Sequence, residues 1–219
     1  VGLAAGLSIN STTGEISGSP VQEGSYQVTL IIENELGKDT QTLEMSIFNP
    51  SVFAKQMEFN CTNYSGTSTL YDFPMLIEMN GSITGFNLRQ FASNSGNDLR
   101  FFDPSGKEYA YEIETFDLAG NELIAWVQVP EFNNQTIFTA YWGNPAIAEF
   151  PPDYSINGHA WNKDYFGVWH MRPTPGSTIL SDSTSYRNHL TDQNGLSRKS
   201  GLAGNARQLF GEPDNYLSA

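Results

Sequence analysis

Asn97-Asp98-Leu99-Arg100-Phe101-Phe102, Glu108-Tyr109-Ala110-Tyr111-Glu112-Ile113-Glu114, Ile124-Ala125-Trp126-Val127-Gln128-Val129-Pro130 and Thr136-Ile137-Phe138-Thr139-Ala140-Tyr141-Trp142-Gly143-Asn144 are four runs rich in β-branched and aromatic residues. Asp103-Pro104-Ser105-Gly106, Leu118-Ala119-Gly120-Asn121 and Phe132-Asn133-Asn134-Gln135 separate them, and all three are turn-forming compositions. The spacing predicts an antiparallel meander. The flanking stretches read as pieces of neighbouring modules, so the fold class is all-β, a tandem of β-sandwich modules.

The bulk chemistry agrees with a folded, secreted β-protein. Of 219 residues, 39% are hydrophobic, enough for a core, and only 16% are charged, below the usual quarter. With 11 Lys and Arg against 24 Asp and Glu, the net charge is −13. Such a chain repels the phosphates on which nucleic-acid affinity rests, and anionic membranes for the same reason. No apolar run is long enough to insert into a bilayer. Scattered carboxylates offer oxygen ligands to calcium, the one cofactor the composition allows for. The lone Cys61 excludes an internal disulfide and reads as a small buried side chain, with intermolecular pairing as the alternative. The first residues lack both the charged and the apolar region of a signal peptide, and there is no initiator Met, so the expectation is an internal piece of a longer polypeptide.

Residues 1–50 alternate as strands. Tyr26, Val28, Leu30 and Ile32 share one face, and Thr13-Gly14, Glu23-Gly24 and Leu36-Gly37-Lys38 supply turns. The run Gly6-Leu7-Ser8-Ile9, Thr13-Gly14, Ile16-Ser17-Gly18, Pro20, Gly24, Tyr26 resembles bacterial immunoglobulin-like and cadherin-like repeats. That resemblance implies the later strands of a spacer module. Calcium at such junctions would use Glu15, Glu33 or Glu35, but solvated turn carboxylates are the favoured reading.

Residues 51–148 form the central module, with strands expected over Lys55–Cys61 and Phe73–Asn80 before the four opening runs. Phe73-Pro74-Met75-Leu76-Ile77, Asn97-Asp98-Leu99-Arg100-Phe101, Tyr111-Glu112-Ile113-Glu114, Ala125-Trp126-Val127-Gln128-Val129-Pro130 and Tyr141-Trp142-Gly143-Asn144 resemble, in that order, the secreted family called domain of unknown function 2341. The resemblance covers about Phe53 to Asn144. It departs at Phe116, where many members carry tryptophan.

Residues 149–219 follow the break at Pro151-Pro152-Asp153, and an aromatic-rich strand is expected over Trp161–Met171. Val168-Trp169-His170-Met171, Asp182-Ser183-Thr184, Asn188-His189-Leu190, Gly204-Asn205-Ala206, Phe210-Gly211 and Tyr216-Leu217 resemble the opening of laminin-G-like, concanavalin-like jelly rolls.

Candidate binding residues come from side-chain chemistry. Aromatic rings stack on apolar sugar faces. In the run from Ile124 to Val129, Ala125, Val127 and Val129 share the apolar face, which leaves Trp126 outward. Tyr141 and Trp142 point to opposite faces, so one ring is core and one exposed. Asp98 and Arg100, two apart on a strand, offer hydrogen bonds to hydroxyls; a structural ion pair or turn cap is the blander alternative. Glu112 and Glu114 share a face at a spacing that sugar hydrolysis could use, but solvated glutamates on a strand explain them without chemistry. His170 reads as packed and hydrogen-bonded. There is no His-x-x-x-His, Cys-x-x-Cys, phosphate loop or nucleophile elbow, so no enzyme is expected and no metal ligand set is assigned. Five Asn-x-Ser/Thr sequons start at Asn10, Asn60, Asn63, Asn80 and Asn134.

The functional expectation is a non-catalytic extracellular or cell-surface segment acting in adhesion and scaffolding, with weak recognition of polysaccharide or cell-surface glycan through Trp126, Tyr141, Trp142, Asp98 and Arg100. Its other partners would be modules of the same polypeptide. The alternatives are a carbohydrate-binding module attached to a polysaccharide-degrading enzyme, or a subunit of an extracellular fibre, since exposed strand edges favour assembly.

Overall fold

The computed structural model describes residues 2–21, 24–172, 177–193, 195–201, 205–208 and 216–218. Glu23 of one predicted turn lies outside them, as do residues 204, 210 and 211 of the concanavalin-like run. The chain divides into two compact units, Val1–Val52 with Ser105–Lys107 and Phe53–Pro104 with Glu108–Ala219. Strands dominate the described residues, all pairings are antiparallel, and the only helical pieces are single 3-10 turns.

In the first unit, β1 (Leu7–Ile9) pairs with β2 (Ile16–Gly18), and β3 (Gly24–Asn34) pairs with β4 (Gly37–Ile47) in a long hairpin. Val28 is buried and Tyr26 and Leu30 are half-buried, but the predicted face fails at Ile32, which is exposed near the hairpin tip. The glycines of the Gly6…Gly18 motif have a steric cause. Both take positive φ, and a Cβ on Gly6 would lie 2.1 Å from the Ser19 carbonyl oxygen.

The central sandwich is built from two three-stranded sheets. One has the order β5 (Lys55–Asn60), β10 (Ile137–Trp142), β7 (Arg100–Phe102); the other has β6 (Leu70–Asn80), β9 (Glu122–Phe132), β8 (Tyr111–Asp117). The predicted meander is therefore corrected. Only β8 and β9 form a consecutive hairpin, whereas β7 and β10 pair with each other in the opposite sheet. The reason lies in the connections. The chain leaves Phe102 through the turn at Pro104 and returns by a single bridge, Phe102 to Glu108, before β8 begins. The turn after Phe132 carries it back to β10. The four runs thus supply both inner faces, and Phe101, Phe138 and Ala140 meet Tyr111, Ala125, Val127 and Val129 in one core.

The connection between β6 and β7 contributes Phe86, Leu88, Phe91 and Leu99 to that core. Its 3-10 turn, Leu88–Gln90, is capped by Asn87, with Gln90 closing a capping box.

Between 149 and 219 the described residues carry short strands: β11 (Ile179–Leu180), β12 (Leu190–Asp192) and β15 (Leu217–Ser218) in one sheet, and β13 (Ser197–Ser200) with β14 (Asn205–Gln208) in another. The strand predicted over Trp161–Met171 does not form. The backbone turns at Asn162, whose side chain accepts from the Asp164 amide, and only Trp169 makes a bridge, to Asp182. The aromatic residues there pack as side chains of an irregular loop. Side chains from beyond residue 148 pack on the β8 strand. Tyr154 donates to Glu108 and its ring packs edge-on against Tyr111, and three later side chains bond to Glu112.

Candidate functional site

The outer face of the β8–β9 hairpin is the most chemically concentrated surface among the described residues. Along β8, Tyr111 and Ile113 point inward, and the register then slips, with Thr115 rather than Glu114 opposite Ile124. Glu114 is the extra residue of a β-bulge, a device that re-aims side chains next to sites. The slip keeps Glu112, opposite Trp126, and Thr115, opposite Ile124, on the outer face with Glu114 between them.

Trp161, His170, Arg172 and Ser183, from residues 158–172 and 181–184, cover this face. His170 stands between the two carboxylates, with Nε2 3.2 Å from Glu112 Oε2 and Nδ1 3.2 Å from Glu114 Oε2. Glu112 also accepts from Trp161 Nε1 at 2.7 Å and Ser183 Oγ at 2.5 Å, while Glu114 accepts from Trp126 Nε1 at 2.8 Å. Arg172 Nη1 donates to Thr115 Oγ1. Burial opposes charge on His170, but hydrogen bonds and Coulomb attraction from both glutamates outweigh it and push its pKa up to about 9. Glu114 is only 2% exposed, which by itself would raise its pKa; the bonds from His170 and Trp126 bring it below the ordinary value. The arrangement at neutral pH is an imidazolium clasped by a carboxylate on each side.

The rings complete the clasp. His170 lies nearly parallel to Trp126 at 6.2 Å, and Trp161 is 5.3 Å from Trp126 and 6.1 Å from His170. Beside them opens a cleft of about 460 Å³, lined by Phe73, Trp126, Trp161, Tyr165, Trp169 and Glu114 among others. The indole N–H groups of Trp126 and Trp161 are spent on glutamates and that of Trp169 on the Asn188 carbonyl, so the cleft presents ring faces more than donors.

The covering loop is organised by Asp182, whose carboxylate is fully buried. It accepts from the amides of Val168, Thr184 and Asn188 and from Thr184 Oγ1. Burial would raise its pKa, and those bonds lower it.

Of the predicted binding residues, only Trp126 belongs to this site. Trp142 is 2% exposed, in the core beside Phe86 and Phe91. Tyr141 is the outward ring of its pair, but it sits on β10 in the opposite sheet against Phe53 and Phe102. Asp98 is fully buried and does not share a strand face with Arg100. It lies in the turn before β7 and accepts from the amides of Ala92, Ser93, Gly143 and Asn144, so it ties loops together and faces no ligand. Arg100 donates to the Asn97 and Leu99 carbonyls and pairs with Glu108 at 3.4 Å. The five predicted residues therefore do not converge. The solvated-glutamate reading of Glu112 and Glu114 is also corrected, since both are bonded beneath the loop. Sequence reasoning missed their union with His170 and Trp161. The outward alternation in β8 was visible, but the partners lie about fifty residues further along an irregular loop.

Among the described residues, no group of three His, Cys, Asp or Glu is arranged to hold a metal ion, and no helix is long and apolar enough to cross a membrane.

Residues 2–48 match the family model described as "Putative Ig domain", and residues 95–154 match "Domain of unknown function (DUF2341)". No curated protein and no solved structure matches the chain. The two matches follow each other in the order of the resemblances drawn from Gly6–Tyr26 and Asn97–Asn144. The second match runs past Asn144 to Tyr154, the residue that bonds Glu108 and packs on Tyr111.

Proposed function

We propose that this chain is a non-catalytic display and adhesion segment of a secreted or cell-surface multidomain protein, with weak glycan recognition in the aromatic cleft beside the Glu112–His170–Glu114 clasp. The coarse reading, a module of extracellular type, rests on the company of the immunoglobulin-like and DUF2341 matches. The finer reading rests on one observation: Trp126, Trp161, Tyr165 and Trp169 bring their rings to a single open cleft whose indole N–H groups are already bonded. Fixed rings with few competing donors suit stacking on pyranose faces, with little orientational cost on binding.

The non-catalytic part is supported by how the Glu112–Glu114 pair is used. A glycoside-cleaving pair needs one carboxyl with a raised pKa as the acid and a second free to act as base or nucleophile. Here Glu114 is shifted downward, and both oxygens of Glu112 accept from protein donors. The seam serves to hold the loop onto the sheet.

Affinity electrophoresis of the whole chain through gels containing neutral polysaccharides, with calcium or with EDTA, tests this reading. Retardation by at least one neutral polysaccharide, weakened in Trp126→Ala, is expected. Free migration in every gel, with or without calcium, would remove the glycan reading and leave the scaffold alone.

A further inference from the structure

We infer that residues 158–172 are a strap whose closure onto the β8–β9 hairpin assembles the aromatic cleft, so that glycan occupancy and closure of the Glu112–His170–Glu114 clasp are coupled. This rests on the glycan reading above and names how that same site is switched. The cleft has two walls from different parts of the fold. Phe73 and Trp126 stand on the sheet, while Trp161, Tyr165, Trp169 and His170 stand on the strap. Neither wall makes a cleft alone.

Among the described residues, the side-chain hydrogen bonds that tie the strap to the sheet all end on β8. Trp161 Nε1 and His170 Nε2 reach Glu112 Oε2, His170 Nδ1 reaches Glu114 Oε2, and Arg172 Nη1 reaches Thr115 Oγ1. Glu114 Oε2 also accepts from Trp126 Nε1. One carboxylate oxygen therefore fixes a ring of the sheet wall and the latch residue of the strap wall together. Away from the sheet, the strap is bonded to the following turn: the Val168 amide donates to Asp182 and Trp169 Nε1 to the Asn188 carbonyl. That turn adds one bond of its own to the clasp, from Ser183 Oγ to Glu112 Oε1. The strap thus keeps its order through Asp182 and meets the sheet through the clasp and the Trp126 ring contacts.

The charged groups that act on His170 are Glu112 and Glu114, both from β8; Arg172, the other cation beside them, acts on Glu114 and donates to Thr115. As an imidazolium, His170 donates from both nitrogens. Once neutral it keeps a single N–H, so one carboxylate loses its donor and both lose their counter-charge in a half-buried seam. Because its pKa is raised from 6.5 to about 9, the clasp is complete below 6.5 and is lost as pH rises through about 9. A glycan that touches both walls binds the closed form alone, so its apparent affinity falls with the closed fraction. By reciprocity the bound glycan holds the strap closed to higher pH.

The test is affinity electrophoresis of the full chain in hydroxyethylcellulose and in glucomannan, together with acrylamide quenching of tryptophan fluorescence, both from about pH 7 to about pH 10. Of the four tryptophans, Trp126, Trp161 and Trp169 line the cleft and Trp142 lies in the core, so quenching reads the strap without any ligand. The expected result is retardation that weakens roughly tenfold across this range and quenching that rises as pH passes about 9. Dissolved hydroxyethylcellulose should displace the quenching transition to higher pH. His170→Gln should keep the native far-UV circular dichroism but show weaker retardation and stronger quenching throughout, with no transition between these pH values. Retardation that stays constant while quenching rises overturns the coupling and leaves the glycan reading standing. A transition that persists in His170→Gln assigns it to tyrosine ionisation and overturns the latch, as does quenching of the native protein that stays flat. Free migration of the native protein in both gels at every pH takes down the coupling and the glycan reading together.

Discussion

On the inner face of β9, Leu123, Ala125, Val127 and Val129 are sealed by Phe101, Phe138 and Ala140 across the sandwich; on its outer face Trp126 is partly covered by His170 and Trp161 reaching across from a loop. The first closure is apolar, non-directional and proportional to area. The second is made of carboxylates, an imidazolium and two indoles, each oriented by a named hydrogen bond. Apolar packing specifies that a sandwich exists and tolerates many partners of similar shape. The polar clasp specifies which segment lies on the sheet, because a group that lost its partner would be left buried and unsatisfied. The two faces of one strand therefore divide stability from specificity.

The largest effect expected from breaking this contrast lies inside. Phe138 is fully buried against Phe59, Phe101 and Tyr109. Phe138→Ala should cost about 3–5 kcal/mol, the usual result of emptying a large aromatic site. Denaturant unfolding should shift to lower midpoint as a whole, with tryptophan fluorescence and far-UV circular dichroism still coincident. Separate transitions would mean that the outer face survives without the core, and the division drawn above would fail.

His170→Ala should act less strongly and locally. His170 is 16% exposed on its side chain, and removing it strands Glu112 and Glu114 next to each other, at a cost of about 2 kcal/mol once solvent relaxation is allowed for. Hydrogen-exchange protection should fall in residues 158–172 and 181–189 while the amides of β9 keep theirs. The same seam carries a pH dependence that the inner face lacks. The His170 pKa is raised from 6.5 to about 9, so its contribution is complete below pH 6.5 and is lost as pH rises through about 9. Glu114 is lowered from 4.5, so its contribution is complete above that value and is lost as pH falls further. Exchange measured across this range should open the loop at both extremes; equal loosening of β9 at the same pH values would contradict the assignment.

Much of the inner face was legible in sequence because alternation is a local signal. Ala125, Val127 and Val129 read as the apolar face and are buried, and Trp126 read as outward and is so placed. Pairing was less legible. The four opening runs look like a meander, yet the short bridge at Phe102 and Glu108 carries the chain to the other sheet, a step that composition does not encode. Asp98 shows a second limit. Its sequence neighbours suggest a strand-face partner for Arg100, while its actual partners include the amides of Gly143 and Asn144, forty-five and forty-six residues away. The clasp was hidden for a related reason. Glu112 and Glu114 looked solvated because their cover comes from an irregular loop with no periodicity to read, and the bulge at Glu114 leaves no mark in the pattern of residue types.

Trp126→Phe gives the smallest effect and the finest resolution. The substitution keeps an aromatic ring opposite Glu112 and beside His170, but removes the Nε1–H that donates to Glu114 at 2.8 Å. One hydrogen bond to a charged acceptor is lost while His170 continues to satisfy the same oxygen, so the stability change should be about 1–2 kcal/mol. The direction of the pH shift is the more telling readout. With one of its two stabilising donors gone, Glu114 should titrate at higher pH than in the native protein, and the acid-induced opening of the loop should begin earlier. The alkaline limb, governed by His170 between both carboxylates, should stay near its native position. If the acid limb does not move while stability falls, Trp126 acts through packing alone, and the outer face would be closed by the same non-directional means as the inner one.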